Sequence, residues 1–307
     1  MKLLSRKLLL ILIPGILFLL VILSSCQKFE GDQTIPAYIS VDTFILANNS
    51  FLELGITSHK ITDVWVYVDD QIIGAFELPV ERIPVLAEGK HKLTLVPGIK
   101  YNGMSGTRGP YPFMEPDIDT GFIFIVDSII KVQPVVKYYN STYAAWMEDF
   151  DDESNSLQPS VDSDTSLYFL NYDTVNALYG NASGIGYLDP DHLVLEVASY
   201  DEDVAGIKLP TSSAPVFLEM QYNLDIPLTV GLFIIETGVQ VIRHPIVVLN
   251  PTDGQWKKVY VNMTPTVSDY GSQADYFNVF FRAENIYSLN SPVIKIDNLK
   301  LLTNQGP

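Results

Sequence analysis

The chain has 307 residues, 47% of them hydrophobic, with 36 acidic against 19 basic side chains and a formal charge of −17 at pH 7. That length suffices for two hydrophobic cores. The acidic balance argues against nucleic acid and anionic lipid as partners, because both are read through basic patches; 17 Tyr and 15 Phe favour strands over helices.

In chain order, a basic head (Lys2, Arg6, Lys7) precedes an apolar run over 8–23 interrupted only by Pro14 and Gly15, and Leu23-Ser24-Ser25-Cys26 closes it. A basic region, an apolar stretch and small residues before a cut make a secretory signal. The run is shorter than the ~20 residues of a membrane-spanning helix. The tetrapeptide resembles the lipobox of bacterial lipoproteins, which implies that 1–25 is a signal peptide and that Cys26 carries a lipid. Cys26 is the only cysteine, so no internal disulfide is available, and acylation removes an exposed thiol. The expected location is the bacterial outer membrane, with the chain held by its lipid on the periplasmic or cell-surface side.

Residues 26–35 read as a polar tether. From 36 to 137 short alternating runs follow: 35–39, 62–68, 72–76, 91–96, 121–126 and 129–139, with turns at Asp69-Asp70-Gln71 and Glu88-Gly89-Lys90. Residues 101–117 are rich in Gly and Pro and read as a loop. This half is expected to be a small antiparallel β-sandwich. From 138 to 307 the strand signals are 166–170, 192–199, 215–222, 228–235, 246–249, 256–263, 276–283 and 293–302, separated by Asp, Gly, Asn and Pro clusters, which suits a two-sheet jelly roll. Lys295 and Lys300 are expected to project outward from the last strand. The predicted fold is therefore all-β, with two sandwiches that fold as separate units.

Two segments carry resemblances. Val64-Trp65-Val66-Tyr67-Val68-Asp69, Glu77-Leu78-Pro79, Pro97-Gly98-Ile99, Asn102-Gly103 and Tyr111-Pro112-Phe113 resemble the N-terminal domain of surface lipoproteins of the Bacteroidetes type. That implies an immunoglobulin-like or carboxypeptidase-regulatory-like module and no activity. Trp256-Lys257-Lys258-Val259-Tyr260-Val261, Phe277-Asn278-Val279-Phe280-Phe281 and Ile296-Asp297-Asn298-Leu299-Lys300-Leu301 resemble carbohydrate-binding-module jelly rolls. Fold alone does not give function.

The search for chemistry returns little. His59, His91, His192 and His244 lack zinc spacing, and Gly103-Met104-Ser105-Gly106 misses the nucleophile-elbow pattern. The acidic run 148–153 reads as a solvated stretch rather than a glycosidase pair. A structural calcium is the functional alternative there: Glu148 or Asp149 opens the second domain, Asp297 lies in its last strand, and hard cations take several oxygen ligands. Trp65 and Trp256 fall inside strand patterns and are expected in cores. Tyr179 and Tyr187 lie in loops and are the better candidates for contact with a ligand. Asp127-Ser128-Ile129 and Asp173-Thr174-Val175 resemble the O-glycan acceptor pattern of exported Bacteroidetes proteins, which marks Ser128 and Thr174. The functional expectation is a non-enzymatic surface protein that recognises a glycan or another envelope protein; the alternatives are a glycan hydrolase or lyase and a structural subunit of an envelope complex.

Overall fold

The computed structural model describes residues 35–50, 52, 54–55, 58–151, 155–168, 175–199, 206–211, 214–236, 241–286 and 288–304. Cys26, the leader and Thr174 lie outside them. Among the described residues no helix is long and apolar enough to cross a membrane.

Among the described residues the fold is all-β apart from one short helix. In the first half the strands are β1 (Ala37–Val41), β2 (Ile45–Leu46), β3 (Asp63–Val68), β4 (Gln71–Glu77), β5 (Val80–Val85), β6 (Gly89–Lys100), β7 (Arg108–Pro110), β8 (Asp117–Phe124), β9 (Ile129–Val132) and β10 (Val135–Val136). They form sheets of order β5-β1-β9 and β4-β3-β6-β7, with β8 also paired to β6 and β2 paired to β10. The β3–β4 hairpin turns at Asp69 and Asp70, both at positive φ (48° and 64°), the geometry that matches strand twist. Alternate residues Val64, Val66 and Val68 face Ile39, Ile83 and Leu95 in one apolar cluster.

In the second half the strands are β11 (Tyr143–Glu148), β12 (Leu157–Pro159), β13 (Leu167–Tyr168), β14 (Gly184–Tyr187), β15 (Val194–Ser199), β16 (Val216–Leu224), β17 (Leu228–Ile235), β18 (Ile242–Leu249), β19 (Lys257–Asn262), β20 (Tyr276–Glu284) and β21 (Val293–Thr303), with α1 (Thr264–Tyr270) between β19 and β20. One sheet runs β13-β14-β21-β16-β19, with β11 also paired to β21; the other runs β12-β15-β20-β17-β18. Their inner faces enclose a second cluster that includes Leu218, Met220, Val230, Leu232, Val279, Phe281 and Leu301.

The outer face of the larger sheet is covered by the first sandwich. Phe217, Tyr260 and Leu302 join the first half's apolar cluster. Tyr111 lies 4.7 Å from Tyr260, and Tyr101 lies 5.4 Å from Phe217, between ring centroids. Glu219 is buried there between Tyr111, Tyr138 and Lys258. Lys300 projects from the outer face of its sheet, opposite Glu219, yet is only 4% exposed. A bulge interrupts β21 just before it: the pairing with β16 shifts between Glu219 and Gln221, and Asn298 takes φ 49°. A bulge resets which residues share a face; it keeps Lys300 on the outer face beside Glu219, and the first sandwich lying over that face buries it. Tyr138 also packs in the first half's cluster, and β11 begins only at Tyr143.

A tyrosine-lined cleft as the candidate functional site

Strand β14 builds the site. It lies between β13 and β21, with Tyr168 opposite Ile185 and Tyr187 opposite Val293. Gly186 faces inward, where an added Cβ would come within 2.6 Å of the Leu195 side chain. Glycine therefore lets the strand lie tight on the core, while its alternate residue Tyr187 points away. Tyr168 projects on the same side from β13, because directly opposed residues share a face. The two rings are 48% and 53% exposed for Tyr187 and Tyr168, with centroids 6.3 Å apart and planes at 44°. They line a cleft of about 630 Å³ together with Ser163, Asp164, Asp189 and His192.

The polar wall is organised by backbone amides. Asp164 Oδ2 and Oδ1 accept hydrogen bonds from the Leu193 and Val194 amides at 2.9 and 2.8 Å. Asp189 Oδ1 accepts from the amides of Asp191 and His192 at 2.8 and 2.7 Å, and the His192 imidazole Nδ1 lies 3.1 Å from both of its oxygens. The hydrogen bond to Asp189 raises the His192 pKa, with further help from the charge of Asp189. The same bond, with the two amides, holds Asp189 below the usual carboxylate range. The cleft thus offers two aromatic faces, an ionised acceptor and an imidazole donor.

Of the residues singled out from sequence, Tyr187 lies on this cleft and Tyr179 does not. Tyr179 is 38% exposed, and its backbone lies against Asp297. Tyr168 falls inside an apolar strand signal that gives no hint of a ligand contact; only its pairing with β14 brings it beside Tyr187.

The residues expected to hold calcium are placed on neighbouring strands, since Glu148 of β11 stands opposite Leu299 of β21. Their oxygens already accept hydrogen bonds. Glu148 takes the Phe150 amide at 2.8 Å and the amide and hydroxyl of Ser156, each at 2.7 Å. Asp297 takes the Asn298 amide at 2.7 Å and the Ser183 hydroxyl at 2.9 Å. Asp149 Oδ1 accepts the Asp151 amide at 3.2 Å. Among the described residues no three His, Asp or Glu side chains gather as cation ligands. A divalent ion at Glu148 and Asp297 would share these oxygens with the N–H and O–H donors they already accept. The acidic run is not uniformly solvated, because Glu148 is buried. Ser128 lies in the tight turn between β8 and β9, half-buried, its amide bonded to the Ile125 carbonyl.

No protein-family model matches the chain, and no curated protein matches it. Solved structures do show similarity. A family 61 carbohydrate-binding module in complex with β-1,4-galactotriose matches at 12% identity and a TM-score of 0.30, over 47% of this chain and 85% of that one. The C-terminal family 22 carbohydrate-binding module of Clostridium thermocellum Xyn10B matches at 11% and 0.31, over 52% and 93%. An adhesin domain of Lys-gingipain from Porphyromonas gingivalis matches at 12% and 0.36, over 52% and 96%. At these identities and scores the likeness is one of general β-sandwich shape.

Proposed function

We propose that the chain is a non-enzymatic surface lipoprotein, held at the bacterial outer membrane by a lipid on Cys26, whose second sandwich binds a saccharide in the Tyr168–Tyr187 cleft. The observation that carries this reading is the exposed tyrosine pair, 6.3 Å between centroids, set over a polar wall. Binding sites for small ligands combine aromatic surface with a few placed polar groups. A sugar ring presents C–H faces to the tyrosines and hydroxyls to Asp189, His192 and Ser163. The first sandwich then acts as a spacer between membrane and ligand.

Two features favour binding over hydrolysis. A glycosidase needs one carboxyl with a raised pKa to act as general acid. Asp189 is shifted the other way, and both oxygens of Asp164 are engaged by amides. The test is a glycan array probed with residues 27–307 and with its Tyr168→Ala and Tyr187→Ala variants. Saccharide signals that vanish in both variants support the reading; signals unchanged in both, or an array with no signal, overturn it.

A further inference from the structure

Where the first sandwich meets the edge strand β19, a groove of about 460 Å³ opens. Lys60 and Lys100 line it from one sandwich, Lys257 and Lys258 from the other, with Tyr222 and Trp256 beside them. No described Asp or Glu lines it, although acids outnumber bases 36 to 19 in the chain. Four of the basic residues of an acidic protein therefore converge on one cavity.

Two of these lysines are committed. Lys258 Nζ donates to Glu219 Oε2 at 2.5 Å and to the Ser58 carbonyl at 2.6 Å, and Lys100 Nζ donates to Glu77 Oε1 at 2.6 Å. Lys60 and Lys257 are exposed, and neither makes an ion pair with a described residue. Like charges held together without a counter-charge raise the local potential, and low-dielectric walls focus it. Trp256, expected in the core, is instead half-buried on this groove. Thr62 and Gln255 complete the lining with a hydroxyl and an amide.

Cations, an aromatic ring and neutral hydrogen-bonding groups in one cleft match a ring-shaped polyol that bears an anionic group. We infer that this groove binds an acidic saccharide, its carboxylate or sulfate held by Lys60 and Lys257 and its ring placed against Trp256. The site is separate from the tyrosine cleft and does not depend on it.

The experiment is titration of residues 27–307 with tetragalacturonate, with a chondroitin sulfate hexasaccharide, with a neutral cello-oligosaccharide and with a hexaglutamate peptide, read by heat and by tryptophan fluorescence. The expected result is saturable binding of at least one acidic saccharide, with the two acidic probes telling carboxylate from sulfate. That binding weakens as salt is raised and falls by about tenfold or more in Lys60→Ala/Lys257→Ala. The fluorescence change is lost in Trp256→Phe, while Tyr168→Ala and Tyr187→Ala leave this binding intact. Because both lysines are exposed, the double variant should melt with the parent, and each single variant serves as a second measurement. Failure of both acidic saccharides to bind, affinity unchanged in the lysine variants, or hexaglutamate binding as tightly as the saccharides would overturn the inference.

Discussion

The Tyr111 hydroxyl donates a 2.5 Å hydrogen bond to Glu219 Oε1, across the boundary between the two sandwiches. Tyr138 donates to the same oxygen at 2.7 Å, and Lys258 Nζ to the other oxygen at 2.5 Å. The carboxylate is fully buried, so these donors replace its water. Burial is the largest influence on its pKa and would raise it, but the charges of Lys258 and Lys300 and the hydrogen bonds outweigh burial and leave it below 4.5. The neighbouring Tyr111, Tyr138 and Tyr260 hydroxyls are pushed well above 10, first by burial and then by the charge of Glu219.

Removing one side of such a cluster strands the other charges. Glu219→Ala should cost about 3–5 kcal/mol, and Tyr111→Phe about 1–3 kcal/mol by leaving one acceptor under-satisfied, both read from denaturant midpoints. The pH dependence has a definite sign. A carboxyl with a depressed folded pKa contributes stability that is fully present above its unfolded value, near 4.5, and is lost as pH falls through the folded pKa. Glu219→Gln should therefore flatten the acid limb of the stability curve. An acid limb as steep as the parent's would show that other carboxylates dominate it.

Asn102 closes an exposed edge. Its amide donates to the Tyr260 carbonyl at 2.8 Å, and its side-chain oxygen accepts the Asn262 amide at 2.8 Å, so the first sandwich covers β19 as an unpaired edge strand requires. Asn102 also has φ 56°, a conformation that asparagine tolerates better than other side chains. Asn102→Ala should lower stability by about 1–3 kcal/mol, while Asn102→Gly, which keeps the backbone but not the cap, should cost less. Equal losses in the two variants would contradict a backbone contribution.

Burial raises the Asp297 carboxyl to about 6, against the hydrogen bonds of Ser183 and the nearby amides. The folded state then binds a proton that the unfolded state has released, over the window between 3.8 and about 6. Linkage makes this group's contribution fall as pH rises through that window. Asp297→Asn removes the ionisation, so the difference in stability between variant and parent should shift in the variant's favour from pH 4 to pH 7. Urea midpoints at several pH values measure it; a difference independent of pH would contradict the raised pKa.

The proposed lipid anchor rests on the sequence of the leader alone, and Cys26→Ala is the direct check. Processing should stop and the mature form should disappear from membrane fractions. Normal maturation and membrane retention of that variant would contradict the assignment of Cys26.

The strands with clean alternation were legible: Leu228–Ile235 is found over the expected residues, because every second side chain enters the core. Others were hidden by composition. Val80–Val85 contains Pro84 and two charges, which an edge strand tolerates and a pattern search rejects. Gly184–Tyr187 reads as a loop because two of its four residues are glycine, although those glycines permit its close packing. Lys300 keeps an outward direction only because of the bulge at Asn298, and its burial under the first sandwich depends on packing that the strand pattern does not carry. For the site, Tyr187 was visible as an aromatic in a polar loop, whereas the placement of Tyr168 beside it and the convergence of four lysines depend on pairings distant in sequence.

The most direct test of saccharide recognition by the second sandwich is calorimetric titration of the strongest array ligand into residues 27–307 and into Tyr168→Ala and Tyr187→Ala. Because both rings are about half exposed and neither belongs to the core cluster, neither variant should move the melting temperature appreciably. The predicted result is a loss of about tenfold or more in affinity for each variant, about 1.4 kcal/mol, at unchanged stability. Affinity equal to the parent's in both variants would contradict the account.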